Sequence, residues 1–272
     1  MSLKNKIVLS TGAASGIGAA TAREAASMGA TVVVADVSDE AGQAVADELG
    51  APSRYVHLDV SSMQEWEEVL GKVVADLGGL DIVHLNAGVL TRPASVPIFD
   101  DPVPWLTEEG WRKVGGVNTD GVLFGTIAAI PHLEARGGGK IFIGMSGAGY
   151  GGWAVDPFYS SSKAAVLSWN QAMSELLKAK NITVNTVDPG RPTDGGMPSK
   201  DYREMGLPLQ DPTVVGQGIA RYCYTSDETG QNWVKDDEGD AMITQQEFSL
   251  KALAAMADAN TEILRGGAST SA

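Results

Sequence analysis

Cysteine is nearly absent. Cys223 stands alone, so no disulfide can form within the chain and a reducing compartment is the expectation. Histidine is almost as scarce. His57, His84 and His132 are scattered with no metal-ligand spacing; His57 and His84 fall in strand-like runs, and no metal is expected. Basic residues are in deficit: 20 Lys and Arg face 34 Asp and Glu, a formal charge of -14. No Lys/Arg cluster exists that could neutralise phosphates, which argues against nucleic acid as a partner. Long apolar runs are missing as well. None approaches the roughly 20 residues that a membrane span requires, and "MSLKNKIVLSTG" is too weakly apolar for a signal peptide. A cytoplasmic protein without a membrane partner is expected. No Pro/Ser-rich or charged tract reads as a linker, so one domain is expected.

What is present is a repeating alternation. "KIVLS", "TVVVAD", "RYVHLDV" and "LDIVHLNAG" are short, β-branched and apolar. Between them lie Ala-rich or amphipathic stretches: "AATAREAASMGA" ending at Gly29, "DEAGQAVADELG" closed by Gly50, and "SSMQEWEEVLGKVVADLG" capped by Ser61 or Ser62. Strands without polar alternation, each followed by a helix, indicate a parallel sheet covered on both faces. Right-handed crossovers make it a doubly wound, Rossmann-like α/β fold. Further on, "VLTRPASVPIFDDPVPW" is a Pro-rich loop and "TEEGWRKVGGVNTDGVLFGTIAAIPHLEA" reads as one long helix. "GKIFIGMSG" is a fifth strand. Residues 159–179 form a helix with Ala165, Trp169, Met173 and Leu176 or Leu177 on one face. "NITVNTVDPG" is a sixth strand, "VVGQGIARYCYTS" is helical, and "NWVKDDEG" is a last strand.

The first chemical site is "TGAASGIG", between the first strand and the first helix. Gly12 permits a tight turn, and Gly16 and Gly18 let backbone approach a ligand and the helix pack on the sheet. The helix N-terminus then offers N–H groups to a pyrophosphate. Asp36 ends the second strand, 18 residues after Gly18. A carboxylate there accepts hydrogen bonds from ribose hydroxyls and repels a 2′-phosphate. The turn carries Ser15 and Ile17 but no Lys or Arg, so NAD rather than NADP is the expected cofactor.

Gly12, Gly16 and Gly18 as "TGxxxGxG", with "NAG" at 86–88 and "YSSSK" at 159–163, resemble the short-chain dehydrogenase/reductase family of the NAD-dependent type over residues 4–240. That resemblance implies further roles. Asp59 and Val60 correspond to the adenine-binding step, and Asn86, Ala87 and Gly88 to the segment lining the adenosine half. Pro189 and Gly190 correspond to the turn bordering the nicotinamide. Thr193 is the candidate for the cofactor amide, one residue early relative to the usual spacing. Asn118, Ser146, Tyr159 and Lys163 correspond to the catalytic tetrad, with Lys163 also holding the nicotinamide ribose. A homotetramer or homodimer packed through the Tyr159 helix and the preceding long helix is also implied. Residues 1–240 form the dinucleotide-binding and catalytic domain on this reading.

The tetrad chemistry is intelligible from the residues. Tyr159 and Lys163 lie four apart, on one helix face. A tyrosine near pKa 10 is a poor base at neutrality, and a nearby ammonium lowers that value. The phenolate then takes the proton of a secondary alcohol as hydride leaves its carbon. Tyr150, Trp153 and Phe158 lie between or beside Ser146 and Tyr159, and Met197 falls in the substrate loop after the "PG" turn. These residues suggest an uncharged, fairly hydrophobic cyclic or aromatic substrate. Arg191 reads either as an anion site or as a surface residue. The Pro-rich loop is expected to rim the site. Two alternatives are an NADP-dependent ketone (3-oxoacyl-type) reductase, disfavoured by Asp36, and a dinucleotide sensor without chemistry, disfavoured by the complete tetrad. Residues 241–272 read as a helical extension, with Thr244 and Glu247 as a capping box before Leu250, Leu253 and Ala257.

Overall fold

The run IVLST is buried at all five positions and forms β1 (Ile7–Thr11). A strand with no exposed face belongs inside a sheet covered on both sides. Chain order continues α1 (Gly16–Ser27), β2 (Thr31–Asp36), α2 (Asp39–Leu49), β3 (Arg54–His57), α3 (Met63–Leu77) and β4 (Ile82–Leu85). The second half holds α4 (Glu108–Val114), α5 (Gly121–Ala135), β5 (Gly139–Gly144), α6 (Pro157–Leu176) and β6 (Ile182–Asp188). It closes with α7 (Ser199–Glu204), α8 (Pro212–Gly218), β7 (Asn232–Lys235) and β8 (Met242–Thr244). The computed structural model describes residues 1–196, 199–235 and 241–244.

One sheet contains all eight strands, in the order β3-β2-β1-β4-β5-β6-β7-β8. The first seven run parallel; β8 returns antiparallel to β7, with Trp233 opposite Thr244. Successive strand residues point to opposite faces. Leu9, Val33, Val83 and Ile141 therefore join Trp66 and Leu70 of α3, Leu133 of α5, and Val166 and Met173 of α6 in one core. Val8, Val32, Val34 and Phe142 face the other way, onto Ala19, Ala22 and Ala25 of α1 and Val215 of α8. The chain proceeds outward from β1 to β3, then starts again at β4 on the opposite side. The carboxyl ends of β1 and β4 are thus a topological switch point, where open α/β sheets leave a crevice.

Two expectations need correction. The single long helix is α4 and α5 separated by a π-helical stretch, Gly115–Asp120, which contains Asn118. π-turns admit an extra residue per turn and cluster at functional sites. On α6, Ala165 and Leu176 are exposed; the buried stripe is Val166, Met173 and Leu177, with polar Ser162 and Asn170. Thr244 ends β8, and the remainder of the expected capping box and helix, Glu247, Leu250, Leu253 and Ala257, lies outside the described residues. Elsewhere the fit is close. Ser62, not Ser61, caps α3, its hydroxyl accepting from Glu65 N–H at 3.2 Å. The Glu65 carboxylate accepts from Asp59 N–H at 2.7 Å.

Among the described residues no helix is long and apolar enough to cross a membrane. No group of His, Cys, Asp and Glu among them could hold a metal ion.

Gly216 of α8 sits directly on α1: a Cβ there would lie 2.6 Å from Ala20 C and Thr21 N, both backbone atoms. Backbone cannot rotate aside, so Gly216→Ala must push the helices apart. Overpacking of this kind costs about 1–3 kcal/mol. Urea unfolding should show a lower midpoint at unchanged slope; an unchanged midpoint would mean that the helices separate freely.

Candidate functional site

The glycine turn opens the switch-point crevice. Gly12 has φ +61, and a Cβ there would be 2.8 Å from Ala87 Cα. A Cβ at Gly18 would be 2.3 Å from Gly12 O. These two glycines bring the turn, α1 and the end of β4 together. Gly16, at φ +54, faces open space. Ser15 holds the N-cap position of α1 with extended backbone and no side-chain cap bond, so the first N–H groups of the helix face the crevice. Asn86 Nδ2 donates to Thr11 O at 3.0 Å and Gly12 O at 3.2 Å. Thr11 Oγ1 accepts from the N–H groups of Asn86 and Ala87.

Asp36 stands beside this turn. Its Oδ2 accepts from Ala14 N–H and its Oδ1 from Ser38 N–H, both at 3.0 Å. Asp59 accepts from Ser61 N–H and Oγ, and Val60 is buried above Gly121. A cleft of about 1070 Å³ runs from Asp36 to Tyr159. Every expected cofactor contact except Gly18 lines it; Gly18 is a packing residue. An elongated dinucleotide fits this arrangement, with the uncapped helix end lining it at Ser15 and Gly16.

At the far end, α6 presents Tyr159 and Lys163. Asp156 caps the helix, its Oδ1 accepting from Tyr159 N–H at 3.1 Å. The same carboxylate accepts from Thr91 N–H at 2.8 Å and Thr91 Oγ1 at 2.5 Å. The Lys163 ammonium lies 5.6 Å from the centre of the Tyr159 ring and donates to Gly144 O at 2.7 Å. A Cβ on Gly149 would be 2.8 Å from Lys163 C, so the turn after β5 rests against the backbone of α6. Ser146 leads that turn and lines the cleft. Asn118 is fully buried. Its Oδ1 accepts from Val89 N–H at 2.8 Å; its Nδ2 donates to Val89 O at 3.0 Å and Ser162 Oγ at 3.1 Å. Its side chain thus clamps the segment after β4 onto α6 and does not line the cleft.

Burial dominates the electrostatics. It pushes the Tyr159 hydroxyl up to about 12, partly opposed by a hydrogen bond with Ser146 and reinforced by Asp188, Asp156 and Tyr202. The lowering expected from Lys163 is not what the protein's own groups produce. Burial also brings Lys163 down to about 8, against the pull of Asp188. Asp188 itself is raised to about 6, burial outweighing the Gly190 N–H and Lys163.

The substrate end differs in detail from the sequence expectation. Ser146 and Trp153 line the cleft, and Trp153 meets the Tyr159 ring edge-on at 5.9 Å. Tyr150 instead packs on the core with its hydroxyl buried. Phe158 is one residue from Tyr159, which is about 100° around the helix. It therefore turns away from the cleft, to Trp111 at 5.5 Å. Met197 lies outside the described residues. Leu90, Tyr202, Met205 and Leu207 line the mouth and were not singled out by sequence. The amphipathic "DYREMGL" was the available signal. Arg191 also lines the cleft. Of the Pro-rich loop only Val89 and Leu90 line the cleft; further on, Phe99 contacts Tyr202 at 5.5 Å, and Ile98 N–H donates to Asp201 at 3.1 Å. Arg92, buried at its root, donates to the carbonyls of Pro97, Asp100 and Val155.

Removing the cap should be visible in stability. Asp156→Ala leaves the Tyr159 and Thr91 donors unpaired and should cost about 1–3 kcal/mol by urea unfolding. Asp156→Asn, which retains an acceptor, should recover most of that. Equal stability of the Ala variant and the parent would remove Asp156 from this role.

The model of the short chain dehydrogenase family matches residues 6–203. A 3-alpha-(or 20-beta)-hydroxysteroid dehydrogenase of Mycobacterium bovis is 35% identical over 188 residues, 69% of each chain. A galactitol 2-dehydrogenase of Agrobacterium fabrum is 36% identical over 192 residues, 70% of this chain and 72% of that one. Among solved structures, a short-chain type dehydrogenase/reductase from Mycobacterium marinum superposes with a TM-score of 0.70 at 29% identity. The match covers 86% of this chain and 94% of that one.

Proposed function

The chain belongs to the short-chain dehydrogenase family, and on that premise we propose that it is an NAD-dependent dehydrogenase of secondary alcohols, with Tyr159 as acid/base. The observation that carries this reading is one continuous cleft. Asp36 and the glycine turn lie at one end; Ser146, Tyr159 and Lys163 lie at the other.

Each residue has a definable task. Asp36, held by two backbone N–H groups, keeps its carboxylate beside the adenosine end, where it accepts from ribose hydroxyls and repels a 2′-phosphate. Ser146 and Tyr159 together bind the substrate oxygen. Bound NAD supplies the hydride acceptor and a positive charge beside the phenol. Tyr159 takes the alcohol proton in oxidation and returns it in reduction. Its own surroundings favour the phenol, so it is ready as an acid near neutrality and needs nearby positive charge to serve as a base. Lys163 contributes that charge. Its lowered value means the ammonium is present below about pH 8 and is lost as pH rises through it.

The mouth residues Leu90, Trp153, Tyr202, Met205 and Leu207 are apolar or aromatic. Such a wall suits a ring compound better than an open-chain polyol. We therefore favour an uncharged cyclic alcohol, as in the hydroxysteroid relative, over a galactitol-like one. Assembly as a homotetramer or homodimer is supported by two exposed features: Ile127 on α5, and the small residues Ala164, Ala165, Ser168 and Ala172 on α6. Such a face lets helices of two copies approach closely.

NADH formation with steroid, cyclohexanol and polyol panels tests this reading, NADP running in parallel. Turnover of ring alcohols with NAD is expected. Turnover with NADP alone would overturn the cofactor assignment, and turnover of polyols alone would overturn the substrate class. Tyr159→Phe should lose at least about 100-fold in kcat while NAD still binds by calorimetry. Asp36→Ala should narrow the preference for NAD by roughly tenfold or more, the worth of a charged hydrogen bond. An unchanged ratio would locate ribose recognition elsewhere.

A further inference from the structure

Asp188 is a carboxylate in a nearly dry place, 3% exposed at the carboxyl end of β6. Strand register fixes what it stands beside. Gly144 of β5 and Val187 of β6 are partners, and Met145 N–H donates to Val187 O at 2.7 Å. Gly144 O is the acceptor of the Lys163 ammonium. Asp188 is the next residue after Val187. Ammonium and carboxylate therefore sit at the ends of two neighbouring strands, and both line the same cleft. Asp188 Oδ1 also accepts from Gly190 N–H at 2.8 Å, which fixes the turn through Pro189. Gly190 is held there at φ +75.

We propose that Asp188 is a positioning residue of the active site: its negative charge is the counter-ion that keeps Lys163 an ammonium beside Tyr159, and its hydrogen bond to Gly190 holds the turn bordering the cleft. The proposal rests on the reading of Tyr159 and Lys163 given above.

Several titratable groups surround it. Lys163 and Tyr159 face it from α6, and Tyr150 from the turn after β5. Lys235, buried on β7, follows Val234, the strand partner of Asp188. Arg191 lies on its own turn. Lys163 bonds to a carbonyl and not to the carboxylate, so the two charges act through space. Burial disfavours the ammonium and the carboxylate alike, and each offsets the other.

The sign of the effect is fixed. A negative charge raises the values of both neighbours: it favours the Lys163 ammonium and opposes the Tyr159 phenolate. Removing it lowers both. In alcohol oxidation, with the positive charge of bound NAD bringing the Tyr159 value below that of Lys163, activity rises as Tyr159 loses its proton and falls as Lys163 loses its own. Both limbs of the pH–rate profile should therefore move to lower pH. Asp188 is raised to about 6, so its charge is present above about pH 6 and lost below it. The difference between the parent and a neutral variant should vanish below that pH.

Asp188→Asn tests this, because the amide oxygen still accepts from Gly190. Expected is a shift of both limbs by about one pH unit towards acid, the scale of a unit charge at a distance of several Å in a protein. A lower rate at every pH with unmoved limbs would reduce Asp188 to a structural residue and overturn the proposal. A second readout needs no turnover. The ultraviolet tyrosinate titration, with Tyr159→Phe subtracted, should show Tyr159 ionising at lower pH in the Asn variant. If no alcohol is oxidised but this shift is seen, the redox reading fails and the counter-ion role stands. If turnover is normal and the tyrosinate titration is unmoved, the counter-ion role fails and the redox reading stands. Should Asp188→Asn fold poorly by circular dichroism, Asp188→Ser, smaller but still an acceptor, carries the same titration with the same two outcomes.

Discussion

The cleft depends on how closely the carboxyl ends of β1 and β4 approach each other. Gly12 and Ala87 meet with no room for a side chain, and Asn86 and Thr11 lock that approach with four hydrogen bonds. The approach fixes the mouth of α1 at the switch point. Asp36 is then drawn to the same turn through Ala14. A wider gap would leave the polar groups of both strand ends to water and separate the helix end from the acid. One steric constraint thus organises the end of the cleft that holds the glycine turn and Asp36.

The other half is governed by desolvation. Lys163, Asp188 and Asp156 are buried charged groups, and such groups are costly unless they are bonded or balanced. Each is held by backbone or side-chain partners here: Gly144 O, Gly190 N–H, and the Thr91 and Tyr159 donors. The dryness that makes them costly also keeps their mutual influence strong, because little water intervenes to screen it. The position of Tyr159 and its proton affinity are therefore set by the same neighbours.

Much of this was legible in the sequence because it is local. Strand runs, helix caps at Ser62 and Gly50, the glycine turn and the four-residue spacing of Tyr159 and Lys163 are properties of short segments. What was not legible depended on contacts distant in sequence. The π-helical stretch at Asn118 interrupts an otherwise regular apolar pattern, which still reads as one helix. Phe158 and Tyr150 were placed near the chemistry by adjacency, yet a rotation about the helix and a turn into the core direct them elsewhere. The direction of the Tyr159 shift escaped because pairwise spacing reveals the ammonium and not the burial. Asp188 escaped because nothing in its own segment marks it as a neighbour of Lys163.

The Pro-rich loop is fastened at both its root and its tip, but to different parts of the fold. Thr91 and Arg92 anchor it to Asp156 and Val155, beneath the start of α6, while Phe99 and Ile98 touch α7. The root is thus tied to the Asp156 that caps α6, and the tip to the helix whose Tyr202 lines the cleft. Arg92 joins the two, since it also donates to the carbonyls of Pro97 and Asp100. Substitution at the exposed residues 93–95 can therefore proceed without disturbing the cap of α6, which leaves that stretch of surface open to change.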